Sequence, residues 1–223
     1  FKLNLPLHIL VVDDNSPDKT ANIVLDLKKK MKEEKLFLLK RPQKEGLGKA
    51  YIQAFQFVLQ QGADFVFCMD GDFSHRPSDL KKLWNQKGDI DLVLGSRWTK
   101  GGVANFNFYR RFLSKLANFF VRLTLGLKQA DATAGFRRYS HRFLKSLDLD
   151  KFVSYNYFFQ PEMTYYAQRG NFKIQEVPIV FQDRFHGQTK MSILEMFYSF
   201  KDLIKLWLIL RFQKETALKK IDF

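Results

Sequence analysis

Between Leu7 and Arg97 the chain sets down four short apolar runs, each ending at a polar turn, and separates them by segments with apolar residues at helical spacing. The runs are Leu7 to Asp13, Leu36 to Leu39, Phe65 to Met69 and Ile90 to Gly95, and each is too short for a buried helix. Between them, Ile23, Leu27 and Met31, then Ala50, Ala54, Phe57 and Val58, then Leu80, Leu83 and Trp84 mark helical faces. Strands apolar on both sides need cover on both sides, so the rhythm predicts an α/β fold: a mainly parallel sheet with helices on both faces. In such a sheet ligands gather beyond the carboxyl ends of the strands, which predicts that Asp13, Asp70 and Arg97 lie along one edge.

The third run, Phe65-Val-Phe-Cys-Met, leads straight into Asp70-Gly-Asp72. Two carboxylates one residue apart suit a hard cation such as magnesium or manganese, which takes oxygen ligands and keeps positions open for a diphosphate. Gly71 between them is expected to let the backbone turn tightly. The same spacing also describes a solvated turn. Leu47-Gly48-Lys49 opens the second helix after Gly46, and this loop either cradles phosphate or is an ordinary strand-to-helix turn; it lacks the P-loop pattern.

A net charge of +14 and an isoelectric point near 9.8 call for an anionic partner. Nucleic acid is not expected, because the aromatic residues fall at core periodicity rather than alternating with arginines as a stacking surface. The lone cysteine, Cys68, lies inside a strand, which excludes an internal disulfide and fits a reducing setting. No uncharged apolar run reaches the roughly 18 residues that a spanning helix needs. Two stretches are amphipathic and basic instead: Phe108 to Leu125, carrying Arg110, Arg111, Lys115 and Arg122, and the helix expected from Ser192 to Leu210. Each suits either packing on the domain or the interface of a membrane. A loop with Gly101 and Gly102 is expected to be mobile, and Phe172 to Phe181 is expected as one final strand emptying into a loop with Arg184 and Lys190.

Taken together, Val11-Val-Asp-Asp-Asn-Ser-Pro-Asp18, Gly46-Leu-Gly-Lys-Ala50, Met69-Asp-Gly-Asp-Phe-Ser-His75, Gly95-Ser-Arg97, Asp131 through Arg137 and Gln160-Pro-Glu-Met163 resemble the family 2 glycosyltransferases of the GT-A fold. Glu176-Val-Pro-Ile179 with Asp183-Arg184 and Thr189-Lys190-Met191 narrows the resemblance to the polyprenyl-phosphate (dolichyl-phosphate) mannose synthases. The resemblance implies transfer of mannose from GDP-mannose to a polyprenyl or dolichyl phosphate, with Mg2+ or Mn2+, at the cytoplasmic face of a membrane to which the chain is peripheral. It leaves room for small membrane-anchoring subunits. The related alternatives are a UDP-glucose or UDP-GlcNAc donor and a glycan hydroxyl acceptor, for which Glu162 or Asp183 would have to act as base.

By the same resemblance Asp13, Asp14, Ser16, Gly48, Lys49 and Asp70 serve the nucleotide, with Asp14 facing the base. Asp70 and Asp72 hold the metal, with Ser74 standing where the family often has glutamine. Arg97, Arg110, Arg111, Arg184 and Lys190 supply cations for the sugar and phosphates; Asp72, Arg97, Arg184 and Lys190 form the catalytic set, and Arg110, Arg111, Arg184 and Lys190 the acceptor-phosphate set. His75 is expected in support of the metal motif. Residues 1–191 are expected to form the glycosyltransferase domain and 192–223 an amphipathic helical segment with C-terminal amphipathic helices. The strand and helix that the family carries ahead of the segment matching His8 to Asp14 have no counterpart in this sequence.

Overall fold

The computed structural model describes residues 3, 5–31, 34–154, 156–182, 193–212 and 217–219. The first half alternates as expected: β1 (Ile9–Asp13), α1 (Thr20–Met31), β2 (Leu36–Lys40), α2 (Leu47–Gln60), β3 (Phe65–Cys68), α3 (Leu80–Trp84) and β4 (Leu92–Ser96). There follow β5 (Val103–Ala104), α4 (Phe108–Leu125), β6 (Arg137–Ser140), α5 (His141–Lys145), α6 (Phe159–Arg169), β7 (Ile174–Pro178), β8 (Val180–Phe181) and α7 (Ile193–Phe212).

Strands β1 and β2 pair in parallel, and the central sheet runs in the order β3, β6, β4, β7. The sheet is mixed. Strand β6 is antiparallel to both β3 and β4, while the β4 and β7 pair and the short β5 and β8 pair are parallel. The expected final strand is two strands in different sheets: β7 continues the central sheet, and β8 leaves it to pair with β5.

Side chains alternate across β4, and the two layers of core follow from that. Leu92 and Leu94 face a cluster with Ile52 and Phe55 of α2, Phe143 of α5, and Phe159 and Met163 of α6. Val93 faces the other way, against Leu80 and Leu83 of α3, Phe136 and Val177. Helices therefore cover both faces of the central sheet. In contrast, β1 and β3 are only half-buried, not buried on both sides, because each stands at the end of its sheet with one edge lacking a strand partner among the described residues.

Helix α4 begins where Asn107 caps it, its side chain accepting the Arg110 N–H at 2.8 Å, and ends at Gly126 in the left-handed conformation. Its buried Val121 and Leu125 pack on Leu203 and Leu206 of α7. Beyond α7 the chain returns to the body: Leu218 bridges Leu147, and Ala217 is buried in the main core. The glycine loop is packed rather than loose, since a Cβ on Gly102 would stand 2.6 Å from the Ser96 carbonyl oxygen.

Candidate active site

Beyond β3 the backbone turns through Asp70 to His75. The residue in the left-handed region is Phe73 (φ 63), not Gly71; a non-glycine residue there is strained, and the ring is 68% exposed. The turn is held by Asp72, whose Oδ1 accepts both the Ser74 N–H at 3.1 Å and the Ser74 hydroxyl at 2.6 Å. Ser74 is fully buried, so its hydroxyl orients Asp72. His75 Nδ1 accepts the Asp70 N–H at 3.1 Å, which leaves the ring proton on Nε2. The 3.7 Å approach of Nδ1 to Asp70 Oδ2 is thus a contact of a neutral imidazole, and burial holds His75 below the ordinary imidazole value against the opposing pull of Asp70.

The pair fits a divalent cation. Asp70 is partly open to solvent, and a Cβ on Gly71 would meet nothing within 4 Å, so the approach is unobstructed. Among the described residues no group of three or more His, Cys, Asp and Glu side chains forms a complete metal site. Two carboxylates with vacant positions for phosphate oxygens and water are the donor set Mg2+ or Mn2+ takes alongside a diphosphate.

Arg97 follows β4 and is locked to Asp131. Its Nε and Nη2 donate to the two carboxylate oxygens at 2.8 Å each, Nη2 also donates to the Thr133 hydroxyl at 2.8 Å, and the Arg97 backbone N–H returns to Asp131. Burial alone would push the Asp131 carboxyl up, but the Arg97 charge and hydrogen bonds hold it below the ordinary value. Asp131 is anchored in turn by Glu176, whose oxygens accept the Ala130 and Asp131 N–H groups. The motif arginine thus carries its own counter-ion. It lies near Asp70, whose charge it feels, and over the Trp98 and Phe181 rings, 5.5 Å from each centroid.

A second cluster surrounds Arg41, which sequence reasoning missed. Its buried guanidinium donates to Asp14 at 2.6 Å, Gln53 at 3.0 Å and Glu45 at 3.3 Å, and Glu45 also pairs with Lys49. Asp14 is engaged here. Asp13, by contrast, is buried with Oδ1 lacking a partner among the described residues, while Oδ2 takes a long 3.4 Å bond from the Ser16 N–H. Gly48 is buried in the first turn of α2. Burial pushes the hydroxyl of Tyr51, two residues past Lys49, well above the ordinary tyrosine value, and Cys68 and Asp70 add to the effect.

The rim toward α4 is aromatic and cationic. Phe181 touches His75 and Phe106, Arg110 lies 4.3 Å over Phe106, and Lys115 stands 5.3 Å over Trp98. Arg111 is exposed on the first turn of α4. Arg184, Lys190 and Asp183 lie outside the described residues. Glu162, in the first turn of α6, is fully buried, with its two oxygens accepting the Val153 N–H at 3.0 Å and the Ser154 N–H at 2.8 Å. Burial pushes its carboxyl up to about 7, against the pull of those bonds. A second missed residue, Arg137, is buried and donates to the Ala132, Ala134 and Gln160 carbonyls and the Thr164 hydroxyl, fixing the loop after Asp131 to α6.

Residues 3–148 match the sequence family described as glycosyl transferase family 2. The chain belongs to that family. As a family 2 glycosyltransferase it is 39% identical over 188 residues to a polyprenol monophosphomannose synthase of Mycolicibacterium smegmatis, covering 83% of this chain and 71% of that protein. It is 40% identical over 185 residues to an undecaprenyl-phosphate mannosyltransferase of Micrococcus luteus, covering 82% and 75%. The fold matches the UDP complex of glucosyl-3-phosphoglycerate synthase from Mycobacterium tuberculosis with a TM-score of 0.60 at 16% identity, over 89% of this chain and 67% of that one. At that identity the likeness carries the GT-A fold of this glycosyltransferase and nothing finer.

Proposed function

We propose that this glycosyltransferase moves mannose from GDP-mannose to a polyprenyl phosphate, with inversion and with Mg2+ or Mn2+ at Asp70 and Asp72. Beside the names of its two relatives, one observation carries the reading: among the described residues, Glu162, the candidate base for a hydroxyl acceptor, and the motif residues Asp131, Glu176 and His75 are already engaged. Glu162 and Glu176 spend both oxygens on backbone N–H groups, Asp131 is paired with Arg97, and His75 Nδ1 holds Asp70. A hydroxyl acceptor needs a base. A phosphate monoester has a second pKa of about 6 and arrives as an anion, so it does not.

In this account Asp13 offers its unpartnered oxygen to a ribose hydroxyl or a base N–H, with Asp14 and Ser16 beside it. Gly48 and Lys49, at the start of α2, face the nucleotide phosphates. A divalent cation, when bound, supplies charge stabilisation to the departing diphosphate. Arg97 reinforces the same region from a fixed position, and Arg110, Arg111, Arg184 and Lys190 receive the acceptor phosphate. The acceptor oxygen forms the new bond to the anomeric carbon as the bond to the GDP oxygen breaks, and one displacement inverts the centre.

The reading extends to a peripheral place on the cytoplasmic face of a membrane. No helix described here is long and apolar enough to cross one. Helix α4 instead exposes Phe108 (87%), Leu123 (67%), Tyr109, Phe112 and Phe119 beside Arg110, Arg111 and Lys115, the composition of a helix lying among anionic headgroups. Calorimetry with GDP and UDP, each with Mn2+, tests the donor: GDP should bind at least about tenfold more tightly, a difference of 1.4 kcal/mol. Tighter binding of UDP would remove GDP-mannose from the account.

A further inference from the structure

The Asp70 N–H lies two residues past the end of the β3 ladder, which closes with Cys68 opposite Arg137, and its hydrogen bond goes to a side chain, His75 Nδ1. That imidazole is clamped. Its ring lies 5.1 Å from Phe136 and 5.1 Å from Phe181, the latter edge-on, and its backbone forms an antiparallel bridge to Phe181. One residue earlier, the Ser74 carbonyl accepts the Gln182 N–H at 2.9 Å. Ring and carboxylate also share a floor: a Cβ on Gly135 would stand 3.7 Å from the His75 ring and 3.8 and 3.9 Å from the Asp70 oxygens.

We propose that His75 is a positioning residue for Asp70, its Nδ1 lone pair fixing the Asp70 backbone and so the direction in which that carboxylate meets the metal. This rests on the reading of Asp70 as a metal ligand. The backbone bond matters because the turn from Asp70 to His75 carries the left-handed Phe73 just past the second carboxylate and is strained there, and a strained turn keeps its geometry only where both ends are held. Asp72 holds the second carboxylate's end through Ser74; His75 holds the first. The imidazole also ties Asp70 to Phe181 of β8. A metal site loses affinity when a ligand drifts by about half an ångström, so the contact acts on binding without touching the cation.

The two properties of the ring separate in two variants of the full chain. His75→Phe keeps an aromatic ring against Phe136 and Phe181 and has no acceptor. His75→Asn places an amide oxygen where Nδ1 was and loses the ring. Mn2+ binding in the presence of saturating GDP, read by electron paramagnetic resonance, and melting by circular dichroism are measured for each. His75→Phe should weaken Mn2+ by about tenfold or more, the usual cost of losing a partner that orients a metal ligand, and His75→Asn should stay within about threefold of wild type although it melts earlier. Should His75→Phe not fold, His75→Leu, equally without an acceptor, takes its place. Unchanged Mn2+ binding in the acceptor-free variant, or equal loss in both, would make His75 a packing residue only and overturn the proposal. Wild-type protein that binds no Mn2+ with either GDP or UDP would instead remove the metal from Asp70, and the positioning role with it.

Discussion

Replacing Arg97 with methionine tests whether the motif arginine is part of the frame that holds the site. The guanidinium and the Asp131 carboxylate are 12% and 0% exposed, joined by two 2.8 Å bonds, with the Thr133 hydroxyl as a further partner of each. Methionine fills much of the same volume and removes the charge, leaving Asp131 buried without its cation. Breaking such a pair from one side costs about 3–5 kcal/mol, a large part of the roughly 5–15 kcal/mol by which a domain is stable. The sign of the pH dependence follows from the carboxyl. In the wild type it is held below its ordinary value, so the pair's stabilisation is present at neutral pH and lost only as pH falls through that depressed value. Without Arg97, burial pushes the carboxyl up, and protonation relieves the variant at mildly acidic pH. Urea unfolding at neutral pH should therefore show the full loss, and unfolding near pH 4.5 a smaller one. A loss under about 1 kcal/mol at neutral pH, or one that grows toward acid, would refute this account of the pair.

Asp72→Asn should leave melting nearly unchanged, because asparagine keeps the Oδ1 that accepts from Ser74, and should cut turnover by at least about a hundredfold; near-normal turnover would sink the metal assignment. Replacing Phe108, Phe112 and Leu123 with serine should weaken binding to anionic vesicles without changing donor affinity, each apolar group contributing up to about 1.5–3 kcal/mol when fully inserted. Equal partitioning of variant and wild type would leave α4 without that task. Glu162, held near 7 against an ordinary 4.5, binds its proton more tightly folded than unfolded, so wild-type stability should fall as pH rises between those values. Glu162→Gln should flatten that slope, and an unchanged slope in urea melts would place the titration elsewhere.

The repeated pattern of apolar runs gave away β1 to β4 and the helices between them, because neighbours in sequence decide whether a short segment buries one side or two. It could not reveal the direction of β6. That strand, Arg137-Arg-Tyr-Ser140, is antiparallel to both β3 and β4, and a strand's direction is set by its partners, which a local pattern does not contain. Pro178 at the end of β7 was the visible hint that the last strand would split, since proline cannot continue a hydrogen-bonded ladder. The carboxylate pair was legible as a motif, whereas its supports were not: Arg41 reaches Asp14 across 27 residues and Arg97 reaches Asp131 across 34. A buried arginine looks in sequence like a surface one until its acceptors are placed. Glu162 is a first-turn acid of α6, and its position there says nothing of the Val153 and Ser154 segment that closes over it.

The central claim is that a phosphate, already an anion, takes mannose from GDP-mannose without a protein base. Its most direct test incubates the full chain and Mn2+ with GDP-mannose and, in separate reactions, a short-chain polyprenyl phosphate and the corresponding polyprenol, with products resolved by mass and the anomeric configuration read by nuclear magnetic resonance. The account predicts polyprenyl phosphate mannose with inverted configuration from the phosphate, in step with GDP release, and no transfer to the alcohol. Transfer to the alcohol at a comparable rate, or a product that retains the donor's configuration, would contradict it.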